Sequence, residues 1–409
     1  MKRFGLAALA AVAFAGIATA QDAVIHAGYL LATPGDGYLR KQTIVVEDGR
    51  IVSVEAGYKP GPKGVPVINL RDAYVMPGLI DSHVHITSES GPGERIRAFE
   101  ETTVDQAFDG AGYAHKTLLA GFTTVQDVGG SNDSVFGLRD AIAKGLVPGP
   151  RMRAAGQAVS VTGGHGDING YAPDVMALFT GTNICNGADD CRRAVRQQVK
   201  EGADVIKITA TGGVMSNTKA GLEQQFTDDE LVAIVETAHS MGRQVTAHAH
   251  GKGGIESALR AGIDSIEHGT YLDDETIALF KEHNATLVPT VLAGATVSGW
   301  VDEPWFPEAS RQKAAIVGPL MQEGTGFGQA ARDALYSETP SITIMEIVAI
   351  GVDLTLAGSA GPTQVLFWSS MIVSLTCGLL AAYPVNLILI RHGIKAGMMD
   401  PRNTDHAHG

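Results

Sequence analysis

Two histidines spaced two apart, His83 and His85, stand in the run Asp81-Ser82-His83-Val84-His85. On an extended strand, residues two apart project to the same side. Both imidazoles can therefore reach one metal ion. A single H-x-H is weak evidence, since two satisfied polar side chains give the same pattern. Its weight rises with the other candidates. His248 and His268 end two later apolar runs, and Lys207 lies within a third, where a bare ammonium would be expensive. His165 sits among glycines in Gly163-Gly164-His165-Gly166, and His250 follows His248 by two. Taken one at a time, each is most simply an ordinary polar residue. Chance accounts poorly for all of them at corresponding ends of separate strands.

The elements that must position these residues follow a repeating pattern. From about 78 to 325, apolar strands alternate with amphipathic helices. Strands are predicted over 121–125, 204–208, 244–248, 263–268 and 286–290, and helices over 190–201, 228–241 and 255–261. Such alternation implies a parallel sheet, and this many repeats suggests a closed barrel. The C-terminal ends of barrel strands converge on one face, and the histidines and Lys207 fall at or near those ends. Ahead of this region, residues 21–77 read as a small β-sandwich domain. Short β-type runs lie at 24–27, 43–46 and 51–54, with Asp48-Gly49 as a hairpin signal.

Composition narrows the partners. The formal net charge is −13 and aromatics make up only 6%. Nucleic acid and anionic lipid both need a basic face, so neither is expected as the main partner. Residues 1–20 read as a signal peptide: Lys2 and Arg3, an apolar stretch over 4–17, then Ala18-Thr19-Ala20. A membrane anchor is the competing reading, but the apolar run is short for a span. The expected location is secreted or periplasmic. Cys185 and Cys191 would form a local disulfide in an oxidising compartment. A zinc pair is the other option, although no second pair of ligands stands nearby. Cys377 reads as a buried thiol.

Residues 336–409 read as a hydrophobic helical tail. Its uncharged stretch at 365–390 reads as a transmembrane helix, followed by Arg391, Lys395 and Arg402. A buried helix kinked at Pro384 is the alternative. A span would tether the protein to the membrane with its basic flank in the cytoplasm.

The chain resembles the amidohydrolase superfamily, in particular its imidazolonepropionase-like and prolidase-like members. The likeness covers about 22–330. It rests on Val75-Met76-Pro77-Gly78-Leu79-Ile80-Asp81-Ser82-His83-Val84-His85, Gly121-Phe122-Thr123-Thr124-Val125, Gly163-Gly164-His165-Gly166, Gly202-Ala203-Asp204-Val205-Ile206-Lys207, His248-Ala249-His250-Gly251 and Ser265-Ile266-Glu267-His268-Gly269. The resemblance implies an α/β fold with a (β/α)8 TIM-type barrel over 78–335. It implies two divalent metal ions, zinc above all, one held by His83 and His85 and the other by His248 and His268. Lys207 would be carboxylated and bridge the pair, which turns a buried ammonium into an anionic ligand. A hydroxide between the metals would attack a carbonyl that the metals polarise. His165 and His250 would act beside the metals or on the substrate. That substrate would be a small amide, cyclic amide, Xaa-Pro dipeptide or N-acyl amino acid, cleaved at its C–N bond.

One departure stands out. Relatives carry a Gly-Thr-Asp motif on the eighth strand, and its Asp is both a ligand and a proton carrier. No such motif follows Phe327-Gly328-Gln329-Ala330. The loose match at 351–361 puts Ser359 in the Asp position, with Asp353 six residues earlier. The barrel is therefore expected to be incomplete at its eighth strand. The tail instead resembles an uncharacterised bacterial membrane domain, through Ile344-Met345-Glu346, Ala382-Tyr383-Pro384-Val385-Asn386 and Arg391-His392-Gly393-Ile394-Lys395. Two alternatives to an active hydrolase follow: a catalytically impaired truncated fusion, and a membrane-tethered metal-binding protein.

Overall fold

The structure, a computed structural model, describes residues 22–33, 35–179, 181–217 and 221–321, with scattered positions between 348 and 385. The predicted signal peptide and the eighth-strand region at 351–361 fall wholly or mostly outside the described residues, as does the predicted span at 365–390. Among the described residues no helix is long and apolar enough to cross a membrane.

The N-terminal region holds β1 (Ala23–Leu30), β2 (Leu39–Glu47), β3 (Arg50–Ala56) and β4 (Val67–Val75). They pair in the order β3-β2-β1-β4, antiparallel except for β1 with β4. Asp48 and Gly49 both take positive φ between β2 and β3, which is the backbone a two-residue hairpin turn requires. Ala27, Leu30 and Ile44 form a small buried cluster, backed by Ile25, Val46 and Val75. This is one sheet rather than the expected sandwich. The four strands pair edge to edge, which leaves none in this segment to build a facing layer.

A row of parallel strands follows, separated by helices. Its first part runs β5 (Leu79–Val84), α1 (Glu94–Glu100), α2 (Thr103–Leu119), β6 (Phe122–Asp127), α3 (Asn132–Ala143), β7 (Arg151–Ala154) and α4 (Pro173–Met176). The second part runs α5 (Ala188–Glu201), β8 (Val205–Thr209), α6 (Asp228–Ser240), β9 (Gln244–Ala249), α7 (Lys252–Arg260), β10 (Ser265–His268), α8 (Asp274–Glu282) and β11 (Thr286–Val288). Adjacent strands pair in parallel within β5-β6-β7 and within β8-β9-β10-β11. The chain beyond β7 joins the two sets: Asp204 N–H donates to Ala154 O (2.8 Å), and Val159 N–H to Lys207 O (2.8 Å).

The row is curved. His83 on β5 bonds Glu267 on β10 at 2.7 Å. A flat row would separate these strands by five spacings, roughly 24 Å. Helices cover the outside. On α5, Cys191, Ala194, Val195 and Gln198 are buried at helical spacing, and Gly202 ends the helix in the left-handed region at φ 117°. Thr227 caps α6 through a reciprocal box with Glu230. Every residue of β8 is buried, as a strand covered on both faces requires.

Among the described residues, 270–277, 291–302 and 311–321 belong to a second compact unit. It contains α9 (Val291–Ser298) and most of α10 (Glu308–Met321). Cys377 is a free thiol, half-buried rather than buried as predicted. Cys185 and Cys191 form a disulfide with Cα atoms 4.9 Å apart, as their spacing suggested.

Candidate metal centre

Each candidate histidine lies at or near the C-terminal end of a parallel strand, except His165, which sits in the loop following β7; Lys207 lies mid-strand. His83 is on β5 and His85 follows it. Lys207 is on β8, His248 on β9 with His250 just after, and His268 ends β10. The rings form a continuous chain of contacts. His83 lies 5.2 Å from His85 and 5.0 Å from His268, centroid to centroid. His268 lies 4.6 Å from His248 and stacks on His250 at 5.0 Å. His165 lies 4.1 Å from His248. The structure thus brings all seven predicted residues into one region. It groups His250 with His248 and His268, whose ligand nitrogens all lie within 4.8 Å of one another.

Hydrogen bonds settle which ring nitrogens face the centre. A carboxylate and a carbonyl can only accept, so a ring nitrogen bonded to either is the protonated one. His83 Nδ1 donates to Glu267 at 2.7 Å, and His85 Nδ1 donates to Gly129 O at 2.8 Å. Both keep Nε2 as the lone-pair nitrogen. His248 Nε2 donates to Gly212 O at 3.3 Å, which leaves Nδ1. His268 Nδ1 pairs with Thr290 Oγ1 at 2.6 Å. Outer hydrogen bonds of this kind orient the imidazoles of metal sites.

Two of these residues are held in costly backbone. His268 has φ 72° and Thr290 has φ 45°. Neither is glycine, and the left-handed region costs such residues on the order of 1–3 kcal/mol. The strand ends turn sharply here, and the side-chain bond between them fixes the turn.

The electrostatics favour neutral imidazoles, the form that binds metal. Burial, and then neighbouring histidines, hold His248 and His268 well below the ordinary value of 6.5. His83 is also lowered, first by burial and then by Lys207. His85 is open to solvent on one side, but desolvation by the surrounding protein, followed by His83, pushes it down to about 4. Burial lowers Lys207 to about 8, against the pull of Glu267 and Asp127. Burial alone would raise Glu267; the bond from His83 and the charge of Lys207 hold it below the usual carboxylate range. Thr246 also donates to it. The donor set therefore fits divalent metal: several neutral imidazoles converge with lone pairs inward, beside an amine and a buried carboxylate.

Sequence reasoning gave no role to Glu267, Asp127, Thr246 or Thr290. An acid within the strand run, immediately before His268, was the available signal for Glu267. Its partner His83 is 184 residues away, and nothing local announces such a pairing.

Helix α1, which follows β5, and the segment after β7 meet in an aromatic cluster. Phe99 packs edge-on against Tyr171 and Phe179, both at 5.3 Å. Arg95 lies 4.1 Å above Tyr171 and donates to Gly170 O at 2.7 Å.

An α/β row of parallel strands with histidines at its C-terminal ends and a lysine mid-strand defines a class, and comparison with known families agrees: residues 74–324 match the amidohydrolase family, and the chain belongs to it. Residues 316–395 match a domain of unknown function, DUF4396. The chain is similar to Aspergillus niger ochratoxinase, at 34% identity over 316 residues. That match covers 70% of this chain and 63% of the relative, so the chain spans less than two thirds of that protein's length. Among solved structures, a Xaa-Pro dipeptidase with bound methionine in the active site aligns at TM-score 0.70 and 35% identity. The alignment covers 90% of this chain and 86% of that one. A prolidase complexed with N-methylphosphonate-L-proline aligns at TM-score 0.66 and 32% identity, over 73% and 74% of the two chains.

Proposed function

We propose that this chain is a metal-dependent hydrolase of amide C–N bonds acting on small dipeptide-like or N-acyl amino acid substrates. The observation that carries the reading is the convergence of six histidines and Lys207, with three ligand nitrogens within 4.8 Å. The Xaa-Pro dipeptidase and prolidase neighbours support the dipeptide-like class. The aromatic cluster of Phe99, Tyr171 and Phe179 suits an apolar substrate side chain.

In this reading His83 and His85 hold one metal, and His248 and His268 the other, with zinc the expected ion. Lys207, carboxylated, would lie between them. The bound metals would polarise the scissile carbonyl and acidify a water. The chain's own residues supply the rest. Glu267 holds the His83 ring by its Nδ1–H, and Thr290 holds His268. His165 and His250, packed on the ligand rings, would orient the substrate carbonyl. The strand row would close as a (β/α)8-type barrel. The disulfide supports an extracytoplasmic location, together with Lys2, Arg3 and the apolar run that follows.

The absence of a Gly-Thr-Asp motif after residue 324 favours a second reading, a chain that binds metal without efficient turnover. One experiment separates the two. Zinc content is measured on the purified full chain and on His83→Ala, alongside hydrolysis of Xaa-Pro and N-acyl amino acid panels. Two zinc per chain with turnover, both lost in the variant, supports the first reading. Zinc without turnover supports the second. No zinc in the wild type overturns both.

A further inference from the structure

A buried acid outside the ligand set lies behind His85. Asp127 ends β6 and is fully buried. Its Oδ2 accepts the N–H of Ile86 at 2.7 Å, and its Oδ1 accepts the N–H of Gly129 at 3.1 Å. Ile86 is the residue after His85. Gly129 carries the carbonyl that takes the His85 Nδ1–H. One carboxylate therefore ties together the backbone that carries the ring and the backbone that orients it.

Gly129 adds a second, independent constraint. A Cβ built there would lie 2.7 Å from His85 Cε1 and 2.9 Å from Nδ1. The ring lies against bare backbone, so a side chain at this position would displace it. Burial raises Asp127 to about 7, against the two N–H donors. Keeping a carboxylate in such a place needs those donors, and they sit on both sides of His85.

We infer that Asp127 is a positioning residue for His85, fixing the direction in which His85 Nε2 points. The inference rests on the metal-centre reading above and concerns only the geometry of one proposed ligand. Asp127→Asn keeps the size but replaces one acceptor oxygen with an NH2 group, which would confront an N–H. Gly129→Ala leaves Asp127 intact and pushes the ring from the other side. The backbone at Gly129 is not in the left-handed region, so alanine is conformationally admissible.

The test uses the full chain, stripped of metal and titrated with zinc, then reloaded with cobalt(II) for its visible absorption spectrum. Thermal unfolding of the metal-free proteins is followed in parallel. Both variants are expected to bind zinc roughly 10–100-fold more weakly, the range seen when outer hydrogen-bond partners of ligands are lost. Their cobalt spectra are expected to differ from wild type, a readout that a purely structural role would leave unmoved. Zinc affinity within twofold of wild type and superimposable cobalt spectra in both variants would overturn the inference. If Asp127→Asn does not fold, Gly129→Ala decides alone, on the same two criteria. A wild-type chain that binds no zinc overturns the metal reading itself, a separate outcome from either.

Discussion

His26 and His83 make an instructive pair. Both sit on strands, largely shielded from water. In the N-terminal sheet, His26 Nε2 pairs with Lys59 O at 2.8 Å, and Nδ1 pairs with Arg71 at 3.0 Å. Both ring nitrogens are used, and the residue is a satisfied part of a small core. In the parallel row, His83 spends Nδ1 on Glu267 and keeps Nε2 toward other imidazoles. What separates a structural histidine from a ligand is the nitrogen left over. The surroundings differ in the same sense. In β3 every residue but Ser53 is exposed, whereas in β8 all are buried.

The sharpest break in this comparison is Lys207→Met. It should lower kcat/KM by about a thousandfold or more, about 4 kcal/mol of transition-state stabilisation. A steady-state assay on the best substrate of the panel checks it, and a loss under tenfold would separate Lys207 from the chemistry. Ile206→Ala should cost about 3 kcal/mol in urea unfolding, because Ile206 is fully buried in β8. Glu267→Gln should weaken zinc binding roughly 10–100-fold, since an amide cannot accept from both His83 and Thr246. His26→Ala should leave zinc affinity unchanged while lowering stability; equal effects from both would erase the distinction drawn above.

Acidity tests the same contrast. In the metal-free chain, His83, His248 and His268 are held neutral below their ordinary value of 6.5. The unfolded chain binds those protons first, so stability is complete above about pH 6.5 and falls as the pH drops. About 1.4 kcal/mol per pH unit is the ceiling for any one of them. Asp127, raised to about 7, acts in the opposite sense, but as one group against four, since His85 is lowered as well. Urea midpoints at pH 7 and pH 5.5 measure the slope, and zinc should abolish most of it. The smallest effect belongs to Val52→Ala on β3. It should shift stability by less than about 0.5 kcal/mol, because that side chain is half exposed.

Much of this was legible from the chain alone. Short β-type runs between turns marked β1 to β3, and apolar runs between amphipathic helices marked β6 and β8 to β11. The histidines could be assigned to strand ends because their runs were short and strongly apolar. Strand β7 (Arg151–Ala154) carries two arginines in four residues and gave no apolar signal. The sandwich expectation failed because strand count does not reveal whether strands pair side by side or face to face. Glu267 and Asp127 were missed for a physical reason. A buried acid is informative only through its partner, and the partners come from strands far away in sequence.

The Cys185–Cys191 disulfide closes a short loop, so the chain-entropy estimate of its worth is only about 2 kcal/mol. Arg193 grips the same loop, donating to Thr182 O at 3.0 Å and Ile184 O at 2.8 Å. Cys185 N–H donates to Ser160 O at 2.9 Å, and Ser160 Oγ accepts from Gly166 N–H, next to His165. For anyone producing this protein, the choice of host and buffer follows. A reducing cytosol should still yield folded material, held by the arginine clip. Thiol reductants are then tolerable during purification, whereas strong chelators threaten the proposed centre.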